Sequence, residues 1–194
     1  MSQPGNARGG AGERPRWVAE PDLRILFEGG AIRAWRRDDA ADLVRHADDY
    51  DVWKNLGDLF PRPYTQRDAR WWLGGGSESR SELSLAIEVD GELAGGLGLK
   101  FPRDPIYRVT SEVGYWLGRV FWGHGIMTRV LQAFVPWAFA RFDLERIEAG
   151  VFETNPASAR VLEKAGFALE SRQKRYVIKE ERVLDRLLYA RFRD

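Results

Sequence analysis

The chain of 194 residues carries 30 basic and 29 acidic residues, no cysteine and a formal charge of +1. Its length suits one domain that buries roughly two thirds of its unfolded surface without metals or cross-links, and the lack of cysteine excludes disulfides, thiolate catalysis and cysteine-based metal sites. Balanced charge supplies no field to gather nucleic acid or anionic lipid; no run approaches the roughly 18 apolar residues of a membrane span, and the N-terminal stretch lacks the apolar centre of a signal peptide. The expectation is a soluble cytoplasmic protein with a flexible tail over residues 1–20 and a single domain over 21–194, with neither nucleic acid nor membrane among its partners.

Leu23 to Phe27 and Ala31 to Arg36 read as short strand pieces either side of Gly29-Gly30. Asp38 then caps an amphipathic helix over Asp39 to Asp48, with Leu43 and Ala47 on one face. An irregular connection rich in aromatic residues and proline runs from Trp53 to Tyr64. Thr65 and Asp68 have the spacing of a capping box for a helix over Gln66 to Leu73, which Gly74-Gly75-Gly76 must end. Leu83 to Val89 and Glu92 to Lys100 flank Asp90-Gly91, a dipeptide that tolerates positive φ in a two-residue hairpin turn. A loop over Phe101 to Thr110 leads to a strand, Glu112 to Leu117, and then to a helix, Ile126 to Phe142, kinked by Pro136 near Gln132, whose carbonyl loses its partner. Arg146 to Phe152 is a strand, and Asn155-Pro156 supplies an N-cap and a first-turn proline for a helix that ends at Gly166. Two strands, Phe167 to Val177 and Val183 to Arg193, close the chain. Antiparallel strands followed by a strand-helix-strand crossover predict an α/β fold: a central mixed sheet with helices on both faces.

The segment from Ser111 to Thr128 is the most informative chemically, a strand entering a turn with Gly123 and Gly125 that opens a helix. The first turn of a helix has N–H groups without intrahelical partners, the helix dipole adds partial positive charge there, and glycine lets an anion approach the backbone; such a junction binds phosphate. A phosphate-loop NTPase needs Lys-Ser/Thr after the second glycine, where Ile126-Met127 stand. A dinucleotide fold needs glycine or alanine at Thr128 and a leading βαβ unit; the order here starts antiparallel, although Asp143 and Glu145 lie near the distance of a ribose carboxylate. A plain tight turn before a helix is the remaining alternative.

Glu112-Val-Gly-Tyr-Trp-Leu117 before the turn, Asn155-Pro-Ala-Ser158 after the next strand, and Val161-Leu-Glu-Lys-Ala-Gly-Phe167 together resemble the GNAT acetyltransferase superfamily, in its RimJ/RimL-like branch. The resemblance covers about residues 22–193 and is densest over 111–167. It implies a mostly antiparallel sheet with a splayed strand pair, an acetyl-CoA co-substrate and no metal. It assigns the pyrophosphate to Gly123, His124, Gly125, Ile126, Met127 and Thr128, and the pantetheine amides to Trp116 and Leu117, with Asn155 also at the cofactor. Val120 departs from the superfamily pattern, which has Gln or Arg there, with Arg119 one place early.

Acetyl transfer needs a neutral amine, and an α-amine of pKa about 8 or a lysine of about 10.4 is mostly charged at neutral pH. The resemblance places Glu112 beside the reacting carbonyl as a base; the alternative for Glu112 is a carboxylate held by a neighbouring backbone group or arginine. Ser158 faces the thioester sulfur on the same resemblance, while the plain reading of Asn155 and Ser158 is helix capping. Leu162 stands where many GNAT enzymes carry an acidic tyrosine, leaving Ser158, a water or no acid, with Tyr115 and Tyr176 as weaker alternatives. The two histidines, His46 and His124, give little support to a histidine metal site. The resemblance implies that Trp53, Tyr64 and Trp72 belong to a segment that walls the acceptor pocket, the alternative for any one ring being core packing. The implied function is acetylation of a primary amine by direct attack in a ternary complex, the acceptor being a protein N-terminus or a small molecule, with a homodimer implied by the family. The alternative is a sensor that binds acyl-CoA without turnover, suggested by Leu162 and Val120.

Overall fold

The computed structural model describes residues 19–76 and 81–194. The described strands are β1 Arg24–Phe27, β2 Gly30–Arg33, β3 Glu82–Val89, β4 Glu92–Lys100, β5 Thr110–Leu117, β6 Arg146–Phe152, β7 Ala168–Lys179 and β8 Arg182–Phe192. The helices are α1 Ala40–Ala47, α2 Tyr50–Trp53, α3 Gln66–Trp71, α4 Ile126–Arg141 and α5 Pro156–Lys164. The strands form one sheet in the order β1-β2-β3-β4-β5-β6-β8-β7, in which only β5 and β6 run parallel. The tail expected over residues 1–20 lies outside the described residues except for Ala19 and Glu20.

Local chemistry explains most of the boundaries. Asp90 and Gly91 both adopt left-handed φ, at 51° and 83°, as the β3–β4 hairpin requires. The capping box closes α3: Thr65 N–H donates to the Asp68 carboxylate at 2.8 Å, and Asp68 N–H donates to Thr65 Oγ1 at 3.4 Å. The α-helix stops at Trp71 rather than Leu73, and a wider π-type turn over Trp72–Gly76 follows, with Gly75 at φ 118°. At the other end of the sheet, Asn155 Oδ1 accepts from Ser158 N–H at 3.1 Å and Gly166 takes φ 85°, fixing both ends of α5. Helix α4 passes through the exposed Pro136 as one element of 16 residues.

The start of the chain departs from expectation. The cap expected at Asp38 is not made; a 3-10 turn over Arg37–Asp39 precedes α1, and Asp39 turns inward instead. Arg33 is 3% exposed, and its guanidinium pairs with Asp39 at 2.7 Å and Glu88 at 2.6 Å. A buried guanidinium must be matched by carboxylates, and Asp39 meets that demand while its Oδ2 also accepts from Arg36 N–H at 2.7 Å. It also draws Ala34–Arg36 out of the sheet, where a continuous strand was expected. The connection after α1 is not wholly irregular, since Asp49 caps the short α2 by accepting from Asp51 N–H at 2.8 Å.

Helices lie on both faces. On one, α4 and α5 bury Val130, Leu131, Phe134 and Leu162 against Leu85, Leu99 and Ile147 of the sheet. On the other, α1 and α3 close a smaller core of Leu43, Ala47, Tyr64, Ala69, Ala86 and Leu93. Apolar burial of this kind contributes about 25 cal/mol per Å² and holds the sheet rigid on either side of the site.

Candidate active site

The parallel pair is incomplete. β5 and β6 are in register only from Thr110 opposite Arg146 to Glu112 opposite Glu148. Beyond Glu112, β5 stays with β4 as far as Leu117, while β6 stays with β8 as far as Phe152. The strands therefore part, and a cavity of about 720 Å³ opens between Val113–Leu117 on one side and Ala149–Phe152 on the other. Backbone amides on the facing edge of a parted strand are available to an extended ligand that carries amides of its own. One acceptor is already taken: the Leu117 carbonyl receives the Trp122 indole N–H at 2.7 Å.

At one end of the cavity β5 gives way to the glycine turn and α4. Gly123 at φ 80° and Gly125 at φ 70° hold the left-handed conformation that non-glycine residues disfavour, and Gly125 is the N-cap of α4. No heavy atom lies within 4 Å of where a side chain at Gly123 would begin, so the backbone is open to a ligand. Gly123, Gly125, Ile126 and Met127 line the cavity; His124 and Thr128 belong to the same turn but not to the lining. Beneath the turn, the Arg129 guanidinium donates to the carbonyls of Glu28 at 2.9 Å and His124 at 3.1 Å, bracing the turn against the β1–β2 hairpin.

The candidate reactive groups meet where the strands part. Glu112 lines the cavity and is 41% exposed at its side chain; Arg186 of β8 pairs with it at 2.8 Å. Arg186 reaches Glu112 across β6 over Gly150, where any side chain would collide with the guanidinium. Ser158 and Asn155, at the start of α5, face the same cavity. The Ser158 hydroxyl lies 2.8 Å from the Tyr115 phenol, whose burial pushes its pKa up to about 12 despite that hydrogen bond. Tyr176 also lines the cavity, with the Arg186 guanidinium 5.4 Å from its ring centroid.

The aromatic wall is placed differently from expectation. Tyr64 is 5% exposed and belongs to the smaller core, where burial pushes its phenol up to about 12. Trp72 meets Trp35 edge-on at 6.1 Å in that same core. Trp53 borders a separate hollow with Asp48, Arg62 and Pro63. None of the three is in the cavity lining; Tyr64 and Trp72 pack in the smaller core instead. This side of the cavity is lined by Val52 and Asn55–Asp58, faced by Tyr176–Lys179 at the tip of the β7–β8 hairpin. Lys179 ties the two together: its side chain is 4% exposed, and Nζ donates to the Leu56 carbonyl at 2.9 Å and to Asp58 at 2.7 Å while standing 3.4 Å from the Trp53 ring centroid. Arg186, Lys179 and Asp58 were not legible beforehand; their partners are 74 to 123 residues away, and no local pattern marks them.

A sheet that parts at its single parallel junction, with a helix N-terminus and a glycine turn at the mouth of the gap, defines a site for an extended, phosphate-bearing ligand. The model of the acetyltransferase (GNAT) domain matches residues 31–168, and the chain belongs to that family. A probable N-acetyltransferase of Bacillus subtilis, YjcK, is 49% identical over 61 residues, 31% of this chain and 34% of that protein. A solved RimL, a ribosomal L7/L12 alpha-N-protein acetyltransferase in complex with coenzyme A, superposes with a TM-score of 0.77 at 25% identity, covering 88% of this chain and 98% of that one. RimJ of Mycobacterium smegmatis, in complex with a CoA-disulfide, gives a TM-score of 0.76 at 28% identity, covering 93% and 90%. The chain spans between about a third and three fifths of the length of the curated relatives it matches. No helix among the described residues is long and apolar enough to cross a membrane, and no group of three or more potential metal ligands occurs among them.

Proposed function

We propose that the protein is an acetyl-CoA-dependent N-acetyltransferase that acylates a primary amine by direct attack within a ternary complex. The observation that carries this reading is the wedge between β5 and β6 with the donor turn of α4 at its mouth. The residues fit coenzyme A: the first-turn amides and Gly123–Thr128 suit a diphosphate, and the parted edge over Trp116 and Leu117 suits an amide-bearing arm. Bound there, the cofactor supplies an activated acetyl group on a thioester.

The chain's own residues then divide the remaining work. Glu112 sits where the strands separate and has one carboxylate oxygen paired with Arg186, leaving the other to accept a proton from the acceptor ammonium. Arg186 fixes the position of that carboxylate. Ser158 would offer its hydroxyl to the sulfur of a bound thioester, and Asn155 pins the Ser158 backbone. Leu162, fully buried, is core and takes no part.

The acceptor we favour is a protein N-terminus, supported by the likeness to RimL, an alpha-N-protein acetyltransferase of ribosomal L7/L12; such an acceptor would place the enzyme in the cytoplasm. One observation favours a small amine instead, because the Lys179 bridge to Leu56 and Asp58 roofs the acceptor side. Incubation with acetyl-CoA and a panel of N-terminal peptides, amino acids and polyamines, following thiol release, tests both. Release dependent on an amine supports the transferase, and its ranking across the panel assigns the acceptor; tight coenzyme A binding without release on any amine would replace the transferase with a sensor.

A further inference from the structure

Tyr115 projects from β5 on the parted side of the sheet, and its hydroxyl lies 2.8 Å from Oγ of Ser158 in the first turn of α5. The contact crosses from one strand of the wedge to the helix that follows the other. The Ser158 carbonyl, which can only accept, lies 3.5 Å from the same phenol. Each hydroxyl has one hydrogen to give. Were Ser158 to donate to Tyr115, the part-buried phenol would have, among protein acceptors, only that long carbonyl contact for its own hydrogen, at the weak limit of the interaction. Both groups are satisfied when Tyr115 donates to Ser158 Oγ, which leaves the serine hydrogen to point into the cavity that both residues line. Asn155 holds the other half of the arrangement through the Ser158 N–H. With its pKa pushed up to about 12 by burial, the phenol remains a donor across the neutral range.

We propose that Tyr115 is a positioning residue for acetyl transfer: by donating to Ser158 Oγ it aims the serine hydroxyl at the thioester sulfur, where that hydroxyl steadies the departing thiolate. The inference rests on the transferase reading of this site. The step balances without a proton leaving either hydroxyl. The amine nitrogen forms the new bond to the acyl carbon, the carbon–sulfur bond breaks with its electron pair on sulfur, and the amine proton passes to Glu112 or water. The thiolate keeps the Ser158 hydrogen bond until it takes a proton from solvent. A hydrogen bond to the charged form of a group favours that form, so the same contact acts on bound coenzyme A itself.

The test titrates the thiol of bound coenzyme A by thiolate ultraviolet absorbance in the full chain, comparing the natural protein with Tyr115→Phe, Ser158→Ala and the double variant. One such hydrogen bond contributes about 1 kcal/mol, so the bound thiol should titrate about half to one pH unit below the free thiol. Ser158→Ala should abolish that depression, Tyr115→Phe should remove at least half of it, and the double variant should go no further than Ser158→Ala. Turnover should follow the same order, with Tyr115→Phe lowering kcat about threefold to tenfold at unchanged coenzyme A affinity. A Tyr115→Phe titration like that of the natural protein, or a Tyr115→Phe effect that persists undiminished in the Ser158→Ala background, overturns the proposal. If Tyr115→Phe does not fold, Tyr115→3-fluorotyrosine, a stronger donor of the same shape, must lower the bound thiol further, and no response overturns the proposal equally. A bound thiol indifferent to Ser158→Ala removes Ser158 from the sulfur and the proposal with it, whereas failure of coenzyme A to bind at all refutes the transferase reading.

Discussion

The two sides of the cavity are built by different means. The side we assign to the cofactor is backbone: a parted strand edge, two left-handed glycines and the first turn of α4, all within Thr110–Thr128 and the facing β6. The side we assign to the acceptor is made of side chains brought from far apart, with Lys179 reaching Leu56 and Asp58, and Arg186 reaching Glu112. Backbone geometry tolerates wide variation in side chains, whereas a wall of long-range ion pairs changes with each substitution. A family built this way can keep one co-substrate while its acceptors diverge.

The sharpest division between the sides would come from Glu112→Gln. General bases contribute about 10²–10⁴-fold, so this isosteric change should lower kcat by about a hundredfold or more and leave the coenzyme A dissociation constant, measured calorimetrically, where it was. A parallel loss of cofactor affinity would show that Glu112 serves the cofactor side and erase the division. Gly125→Asp attacks that side directly. A left-handed residue with a β-carbon costs about 1–2 kcal/mol and a carboxylate at a helix N-terminus repels a second anion, so affinity for coenzyme A should fall about tenfold to hundredfold. Unchanged affinity would move the diphosphate elsewhere.

Lys179→Met keeps the aliphatic stem and removes the charge that ties the hairpin tip to Asp58 and the Leu56 carbonyl. A hydrogen bond to a charged group contributes about 1.5–3 kcal/mol, less here because Asp58 is 68% exposed, so the acceptor KM should rise roughly threefold to tenfold while coenzyme A affinity holds. A change in cofactor affinity instead would mean that the hairpin tip belongs to both sides.

The smallest effect concerns Glu82, which extends from β3 over Gly98 and approaches the Lys100–Glu112 pair. Burial raises the Glu82 pKa, and the Glu112 charge adds to that while Lys100 opposes it. A carboxyl whose folded pKa is raised stabilises the fold below its unfolded value and loses that contribution as pH rises through the folded value. Glu82→Gln should therefore raise the melting temperature at pH 7 and leave it unchanged near pH 4. A fall at pH 7 would reverse the sign and show that ionised Glu82 is held by a favourable partner.

What was legible in the sequence follows the same division. Gly123 and Gly125, the Asn155-Pro156 cap and the Thr65–Asp68 box are local, so spacing alone placed them, and the hairpin at Asp90-Gly91 came out with its expected left-handed pair. Glu112 and Ser158 were brought to one site by the family resemblance, and both line the cavity. The family resemblance put Trp53, Tyr64 and Trp72 in the segment that walls the acceptor pocket, yet a ring's identity does not say whether it faces ligand or core; the smaller core took Tyr64 and Trp72. Asp38 lost its capping role to a neighbour for a similar reason, since the carboxylate demand of buried Arg33 comes from Glu88 and Asp39 only once the sheet has formed. That network leaves its own mark: burial alone would raise Glu88, but the guanidiniums of Arg33 and Arg24 hold it below the ordinary range.

In the proposed binding mode the first-turn amides of α4 grip a diphosphate and lay the thioester arm in the gap between β5 and β6. A crystal structure with coenzyme A bound tests it most directly. Phosphate oxygens should lie within hydrogen-bond distance of main-chain N–H groups between Gly123 and Thr128, with the pantetheine running beside Val113–Leu117. Coenzyme A seated on another surface, with side chains filling the gap between the two strands, would contradict it.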